Sequence, residues 1–328
     1  MQRSAVATPT LADLERHRRE LTGYCYRMPG SGAEAEDAVQ ETMLRAWRGL
    51  DRFAGRSSLR SWLYRIGTNV CLDMLSSAQR RARPMDMGPA RSPRGPVGEI
   101  LHDSAFLEPV PDERVTPEGD PAAVVESRET VRLAFVAALQ TLPPRQRAAL
   151  ILCEVLHWKA AEAAELLETS TASINSALQR ARAALGELDM DDVPASAPDR
   201  ELLDRYVDAF QRYDMEALTA LIHDDATQSM PTYELWLRGR EDIFAWWLGP
   251  GASCRGSRVL SAPSANGLPA FGQYKPSEGG AGYDPWALQV LDVRDGRIAE
   301  FTFFLATPRI FPLFGLPPRL DAAGAPAP

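Results

Sequence analysis

Three short helical patterns in close succession, Leu142 to Leu185, constrain this chain more than any other stretch. Pro143-Pro144 marks a helix start, and Leu150, Cys153 and Leu156 recur at helical spacing before a break at His157-Trp158. Lys159 to Leu167 forms a second helix on Ala160, Ala163, Ala164 and Leu167. Glu168-Thr169-Ser170 then turns the chain and places Ser170 to cap a third. On that third helix Ile174, Ala177, Leu178, Ala181 and Leu185 share one face. Ser173, Asn175, Ser176, Gln179, Arg180 and Arg182 point outward with no acid among them. The bland reading is an alanine-rich bundle with a solvated polar face. Small residues that allow close helix approach, and outward groups able to bond base edges and phosphates, favour a DNA-binding helix-turn-helix. Glu168 occupies a turn slot where a left-handed backbone favours glycine.

The 328 residues allow two or three domains, and 45% hydrophobic with 24% charged is ordinary globular composition. A net charge of -8 does not argue against DNA binding, because charges farther apart than about 8 Å are screened at physiological salt and local patches decide contact. Cys25, Cys71, Cys153 and Cys254 form no CxxC pair, and His17, His102, His157 and His223 do not cluster with them. Neither a zinc site nor a disulfide framework is indicated, and no cofactor is expected. No signal core and no apolar run long enough to span a bilayer is present, so the expected compartment is the cytoplasm, without membrane contact.

Upstream, Leu11 to Met28 reads as a helix, and Glu34 to Trp47 as a second with Val39, Met43, Leu44 and Trp47 inward. The acids Glu34, Glu36, Asp37 and Glu41 also suit the helix dipole without any partner. Leu59, Trp62, Leu63, Ile66, Val70 and Met74 form one stripe of a third helix reaching Arg81. From Arg52 to Arg83 seven arginines face Asp73 alone, a local charge of +6 and a patch of nucleic-acid size.

The order DAVQETMLRAW, SSLRSWLYRIGTNVCLD, LPPRQRAALIL and then the helix-turn-helix closely resembles bacterial RNA polymerase sigma factors of the extracytoplasmic-function class, over Leu11 to Leu188. The resemblance implies that Asp37, Gln40 and Glu41 dock on the coiled coil of the polymerase's largest subunit, and it makes the polymerase flap a further partner. It also implies that the Leu50–Ser58 loop and the following helix melt the minus-ten element and capture a flipped base, with Arg56, Arg60, Asn69, Arg80 and Arg81 as the DNA-binding candidates. Trp47 and Trp62 are expected in the core. The third helix of the opening motif would read the minus-thirty-five element, through Ser173, Asn175, Ser176, Gln179, Arg180 and Arg182. His157 stands where a glycine is usual before Trp158.

Between these parts Arg83 to Pro121 is rich in proline and glycine, a composition against helix. Ile100-Leu101 and Phe106-Leu107-Glu108-Pro109 are apolar anchors that a pure tether would not need, and partial docking is expected. Beyond Pro198, Leu202, Leu203, Tyr206, Val207 and Phe210 mark an amphipathic helix, Asp214 caps another, and two alternating strands turn at Asp295-Gly296. Helices followed by a curved antiparallel sheet make an α+β cone. RYVDAFQRYDMEALTALIHDDAT with Leu237-Arg238-Gly239-Arg240 resembles SnoaL-like domains, a fold shared by catalysts and binding modules.

The expected architecture is therefore multidomain: two all-α sigma domains at 11–83 and 122–190, the second a helix-turn-helix, a linker at 84–121, and an α+β SnoaL-like cone at 199–316. The expected partners are RNA polymerase core, promoter DNA and a small ligand in the cone, whose domain would regulate the factor in cis. His223, Asp224 and Asp225 could form an acid/base set or line a turn. Tyr233, Trp236, Trp246 and Trp247 could line a pocket or fill a core. The apolar tail Phe311 to Leu316 is a candidate cis contact, unless it folds back on its own cone. The rival reading is a SnoaL-like enzyme or sensor fused to DNA-binding helices. A plain helix-turn-helix repressor leaves the Asp37–Glu41 block unexplained.

Overall fold

A computed structural model describes residues 9–55, 57–76, 81–95, 98, 100, 102, 105–116, 129–185 and 200–327. The chain divides into two compact units, residues 1–81 with 113–189, and residues 82–112 with 190–328.

The first unit is helical. The stretch expected as one helix is two, α1 (Leu11–Glu15) and α2 (Arg18–Arg27). α1 stops after a single capping-box turn, in which Thr10 and Asp13 satisfy each other's backbone N–H groups. α3 (Gly32–Gly49) starts at Ser31, whose hydroxyl accepts from Glu34 N, and α4 (Leu59–Leu75) starts at Ser58 in the same way. α5 (Leu133–Leu139), α6 (Pro144–Leu150), α7 (Ala160–Leu166) and α8 (Thr171–Leu185) follow. α6 opens on Pro144 and widens into a π-helical turn at Ile151–Val155. That wider turn rotates the stripe: Ala148, Ala149, Leu150, Ile151 and Leu152 are buried, whereas Cys153 and Leu156 are only partly so. Two arginines join the two halves of this unit. Arg27 donates to Gly23 O (2.7 Å), Thr130 O (3.1 Å) and Thr130 Oγ1 (2.6 Å), and burial depresses its pKa to about 10. Arg147 donates to the carbonyls of Met28, Gln140 and Leu142 and to Gln140 Oε1. Each guanidinium is buried among several acceptors, so truncation would remove several hydrogen bonds at once.

The second unit is a cone. α9 (Arg200–Arg212) and α10 (Met215–Thr219) precede strands β1 (Ile222–Met230) and β2 (Leu235–Arg238). Then come α11 (Arg240–Leu248), β3 (Arg258–Ala265), β4 (Leu268–Pro276), β5 (Tyr283–Arg294) and β6 (Arg297–Phe304). The six strands lie in the order β2-β1-β6-β5-β4-β3. The sheet is mixed rather than purely antiparallel, because β1 and β6 run parallel. Asp295 and Gly296, at φ +48° and +68°, close the β5–β6 hairpin in the left-handed conformation of a two-residue turn. Tyr206 of α9 packs its ring on Phe271 and Phe301, and Phe210 meets Trp247 edge-on at 5.4 Å. The tail folds back on this cone, so it is not a free contact. Phe311 meets Tyr274 at 5.3 Å, and a Cβ at Gly272 would lie 2.8 Å from Leu316.

The segment 82–112 belongs to this second unit. Its proline density does not abolish helix, since Pro84 sits at the first position of a single turn, Pro84–Met87, where its missing N–H costs nothing. The segment is held to the cone at both ends. Trp236 Nε1 donates to Gly88 O at 2.8 Å, Arg91 N donates to Trp236 O at 2.8 Å, and Arg91 pairs with Glu234 at 2.7 Å. Toward its other end, Val110 N donates to Asn266 Oδ1 (3.1 Å), Asn266 N returns a bond to Val110 O (3.2 Å), and Gly267 N donates to Asp112 Oδ1 (2.8 Å). Leu101, Pro117, Gly119, Pro121 and the Val193–Pro198 joint lie outside the described residues.

Candidate nucleic-acid interface and cone cavity

The face built by α8 follows from its start. Ser170 Oγ accepts from Ser173 N at 3.1 Å, fixing the first turn. Ile174, Ala177, Leu178 and Ala181 are buried beneath, and Ser173, Asn175, Ser176, Gln179, Arg180 and Arg182 are all exposed along the outer face. Arg182 is not wholly available, because it pairs with Glu154 at 2.6 Å. The turn between α7 and α8 carries Glu168 at φ +52°, and His157 stands at φ +54°, both in the left-handed region.

On α4, Asn69 is exposed. Arg60 is held on three sides, by Glu20 (2.8 Å) and by the rings of Tyr64 (5.0 Å) and Trp158 (5.1 Å). Arg81 is not on a DNA-facing surface: its side chain is 4% exposed and paired with Glu34. The helix that was to carry it ends at Leu75, so Arg81 follows loop geometry rather than the basic stripe. Arg56 and Arg80 lie outside the described residues.

On α3, Asp37 and Gln40 are exposed, and Glu41 is half-buried and held by Arg45 at 2.6 Å. Val39 and Met43 are inward, but Leu44 and Trp47, expected in the core, are 46% and 61% exposed. They continue the row of Asp37 and Gln40 at helical spacing, and the apolar stripe on this helix is narrower than hydrophobicity alone implies. Trp62 instead covers Gly49 and leans on Phe53, ring centroids 5.1 Å apart.

In the cone, the suspected acid/base trio does not converge. His223 Nε2 lies 2.9 Å from Arg294 O, and Asp224 pairs with Arg240 at 2.6 Å. His223 and Asp225 line an open polar cleft with Met85 and Glu300. Tyr233, Trp246 and Trp247 line a separate cavity of about 120 Å³, on which Gln228, Gln273 and Cys254 also open. Trp236 is not among its walls and bonds the segment 82–112 instead. Among the described residues no group of His, Cys, Asp and Glu could hold a metal ion, and no helix is long and apolar enough to cross a membrane.

Known proteins share this arrangement. Residues 14–81 match the Sigma-70 region 2 family, residues 132–185 match Sigma-70, region 4, and residues 203–301 match the SnoaL-like domain. The ECF RNA polymerase sigma factor SigG of Mycobacterium tuberculosis is 45% identical over 318 residues, which cover 94% of this chain and 84% of that protein. The chain belongs to the ECF RNA polymerase sigma factors. The sigma factor SigJ of the same organism is 29% identical over 307 residues. The crystal structure of SigJ shares the fold, with a TM-score of 0.58 at 24% identity over 94% of this chain and all of that one. As a sigma factor, the protein recruits RNA polymerase core to promoters and initiates transcription.

Proposed function

We propose that this sigma factor is restrained by its own carboxyl-terminal domain, which holds the connection between the two sigma regions. The observation that carries this reading is the docking of residues 82–112 on the cone. Promoter elements named minus-ten and minus-thirty-five lie about 25 base pairs apart, or about 85 Å at 3.4 Å per pair. A compact body of about 150 residues is only about 40 Å across, with a radius of gyration near 15 Å. The first unit, in which Arg60 of α4 stacks on Trp158 beside the helix-turn-helix, must therefore open before both elements are read. A fully extended segment 82–112 reaches roughly 100 Å and permits that opening, whereas the same segment fastened at Gly88, Arg91 and Val110 has less free length to give.

Within the opened factor, α8 reads the upstream element through Ser173, Asn175, Ser176, Gln179, Arg180 and Arg182, and Arg60 and Asn69 act at the melted element. Asp37, Gln40 and Glu41, joined by the exposed Leu44 and Trp47, dock on the coiled coil of the polymerase's largest subunit. The polymerase flap is the second core contact. The cone acts as a binding and control module rather than a catalyst, a reading supported by the separation of His223 and Asp225 from the cavity. Full-length Trp236→Phe with Asn266→Ala, which removes one fastening at each end, tests the restraint in transcription with purified core. Higher promoter output is expected, and output equal to the parent chain rejects the reading.

A further inference from the structure

The cavity inside the cone carries a second, independent inference. Its walls are aromatic, with Phe210, Trp246, Trp247, Trp286 and Phe303 among them. Among the described residues no Asp, Glu, Lys, Arg or His lines it. Lys275 stands against this wall, its Nζ 3.6 Å from the Trp286 ring centroid and 2.8 Å from Ser253 Oγ, so a carboxylate guest would have to draw it from those partners while losing its own water to apolar walls. Its volume of about 120 Å³ is comparable to the roughly 150 Å³ of an engineered protein cavity that takes up benzene.

One largely buried amide side chain keeps a donor that opens on this space. Gln228 is 2% exposed, and its Oε1 accepts from Trp247 Nε1 at 2.7 Å. Indole N–H can only donate, so this bond fixes which end of the amide is oxygen. The Nε2 amino group is thereby turned away from Trp247, with no partner among the described residues, on a side chain that lines the cavity. The neighbouring amides are in a different position. Gln289 accepts from Tyr206 (2.8 Å) and donates to Gln273 (2.9 Å), which donates to Ser257 (3.0 Å), so that chain is closed within the protein. A donor that opens on a cavity is met by water, and a guest with one oxygen can take that water's place while its ring fills the apolar space.

We propose that the cone binds a neutral single-ring compound carrying one hydrogen-bond acceptor, such as a small cyclic ketone or phenol, with its ring between the tryptophans and its oxygen on Gln228 Nε2. This goes beyond the restraint of the sigma regions and does not depend on it. Burial pushes the Cys254 thiol at its wall toward the neutral form.

The test uses full-length protein and nuclear magnetic resonance of the Gln228 side-chain amide and the Met230 methyl, with cyclohexanone and phenol as probes. Toluene serves as the ring without an acceptor, and benzoate as the charged ring. Saturable shifts of both reporters with cyclohexanone and phenol are expected, toluene should move Met230 alone, and benzoate neither. Gln228→Leu should weaken cyclohexanone by about 3- to 10-fold, the worth of one neutral hydrogen bond, and leave toluene within about twofold. If that variant fails to fold, the parent chain's Gln228 amide signal still decides. An amide signal unmoved by either oxygenated probe, or benzoate binding as well as phenol, overturns the proposal.

Discussion

The guanidinium of Arg60 lies 5.1 Å from the ring centroid of Trp158, and the Tyr64 ring meets the same tryptophan at 5.1 Å. Through these two contacts the helix assigned to promoter melting is tied to the residues that precede α7. Trp158→Ala removes a cation–π contact of about 0.5–2 kcal/mol and an aromatic pair of about 0.5–1.5 kcal/mol. The two halves of the first unit should separate more often. Dyes on the exposed positions Arg48 and Ala183 should report a longer mean distance in the variant, and an unchanged distance removes the tie.

Trp47 and Leu44 offer a different test, because their exposure uncouples binding from folding. Trp47→Ala should leave thermal stability within about 0.5 kcal/mol, as surface changes do. A central aromatic anchor is worth about 2 kcal/mol or more, so affinity for polymerase core should fall by about 30-fold. Equal affinity in a titration with purified core would place the docking face elsewhere.

Arg180 and Arg182 should not be equivalent. Arg182 must be released from Glu154, whereas Arg180 has no ion pair of that kind among the described residues. Arg180→Ala is expected to cost about 1–3 kcal/mol on its own promoter if it reads a base, or to lower the salt slope by about one if it meets phosphate. Glu154→Gln frees Arg182 and should tighten binding to random duplex. Binding isotherms at several salt concentrations check both, and the arginine assignment fails if neither variant changes them.

Two backbone positions of the helix-turn-helix carry strain. Glu168 and His157 hold left-handed φ angles that cost a side chain about 1–2 kcal/mol, partly offset by the greater chain entropy glycine loses on folding. Glu168→Gly and His157→Gly should each stabilise the protein by about 0.5–1 kcal/mol, read as a rise in denaturation midpoint. A loss of stability in both would mean that these side chains contribute contacts outweighing the strain.

What the sequence disclosed follows the range of the interactions concerned. Ser170, Ile174 and Ala181 act within a few residues of one another, so periodicity and capping chemistry place them without tertiary information. The Asp295-Gly296 hairpin is legible for the same reason. The exposure of Trp47 is not legible in the sequence, because hydrophobicity says which side chains avoid water but not how wide a stripe α3's neighbours can cover. Arg81 leaves the basic stripe because α4 ends at Leu75 with no proline or glycine to announce the stop. The pairing of Val110 with Asn266 spans 156 residues and has no periodic signature, so only the fold brings it to view. Gln228 reads in sequence as an ordinary polar strand position, and its place facing a cavity depends on the partner Trp247 supplies.

Glu300 makes the cone sensitive to pH, and the sign follows from its surroundings. It lies in the cleft with Met85, His223, Asp225, Arg238, Arg294 and Asp295. Burial, first among the causes, raises its carboxyl above the ordinary 4.5, with Asp292 adding to the rise and Arg83 and Arg294 opposing it. The charged form is therefore disfavoured in the folded cone relative to the unfolded chain, despite two nearby arginines. Below pH 4.5 both states are protonated and the favourable contribution is fully present. As pH climbs from there through the raised value, the unfolded chain ionises first and the contribution is lost. Glu300→Gln should thus raise the stability of the cone at neutral pH and leave it nearly unchanged in acid, flattening that part of the profile. Because Arg83 lies in the segment 82–112 and loses an attracting charge when Glu300 is neutralised, the same substitution should speed tryptic cleavage at Arg91 and Arg94 at neutral pH. A variant less stable than the parent at neutral pH would mean that attraction to Arg83 and Arg294 outweighs burial, reversing the assigned sign.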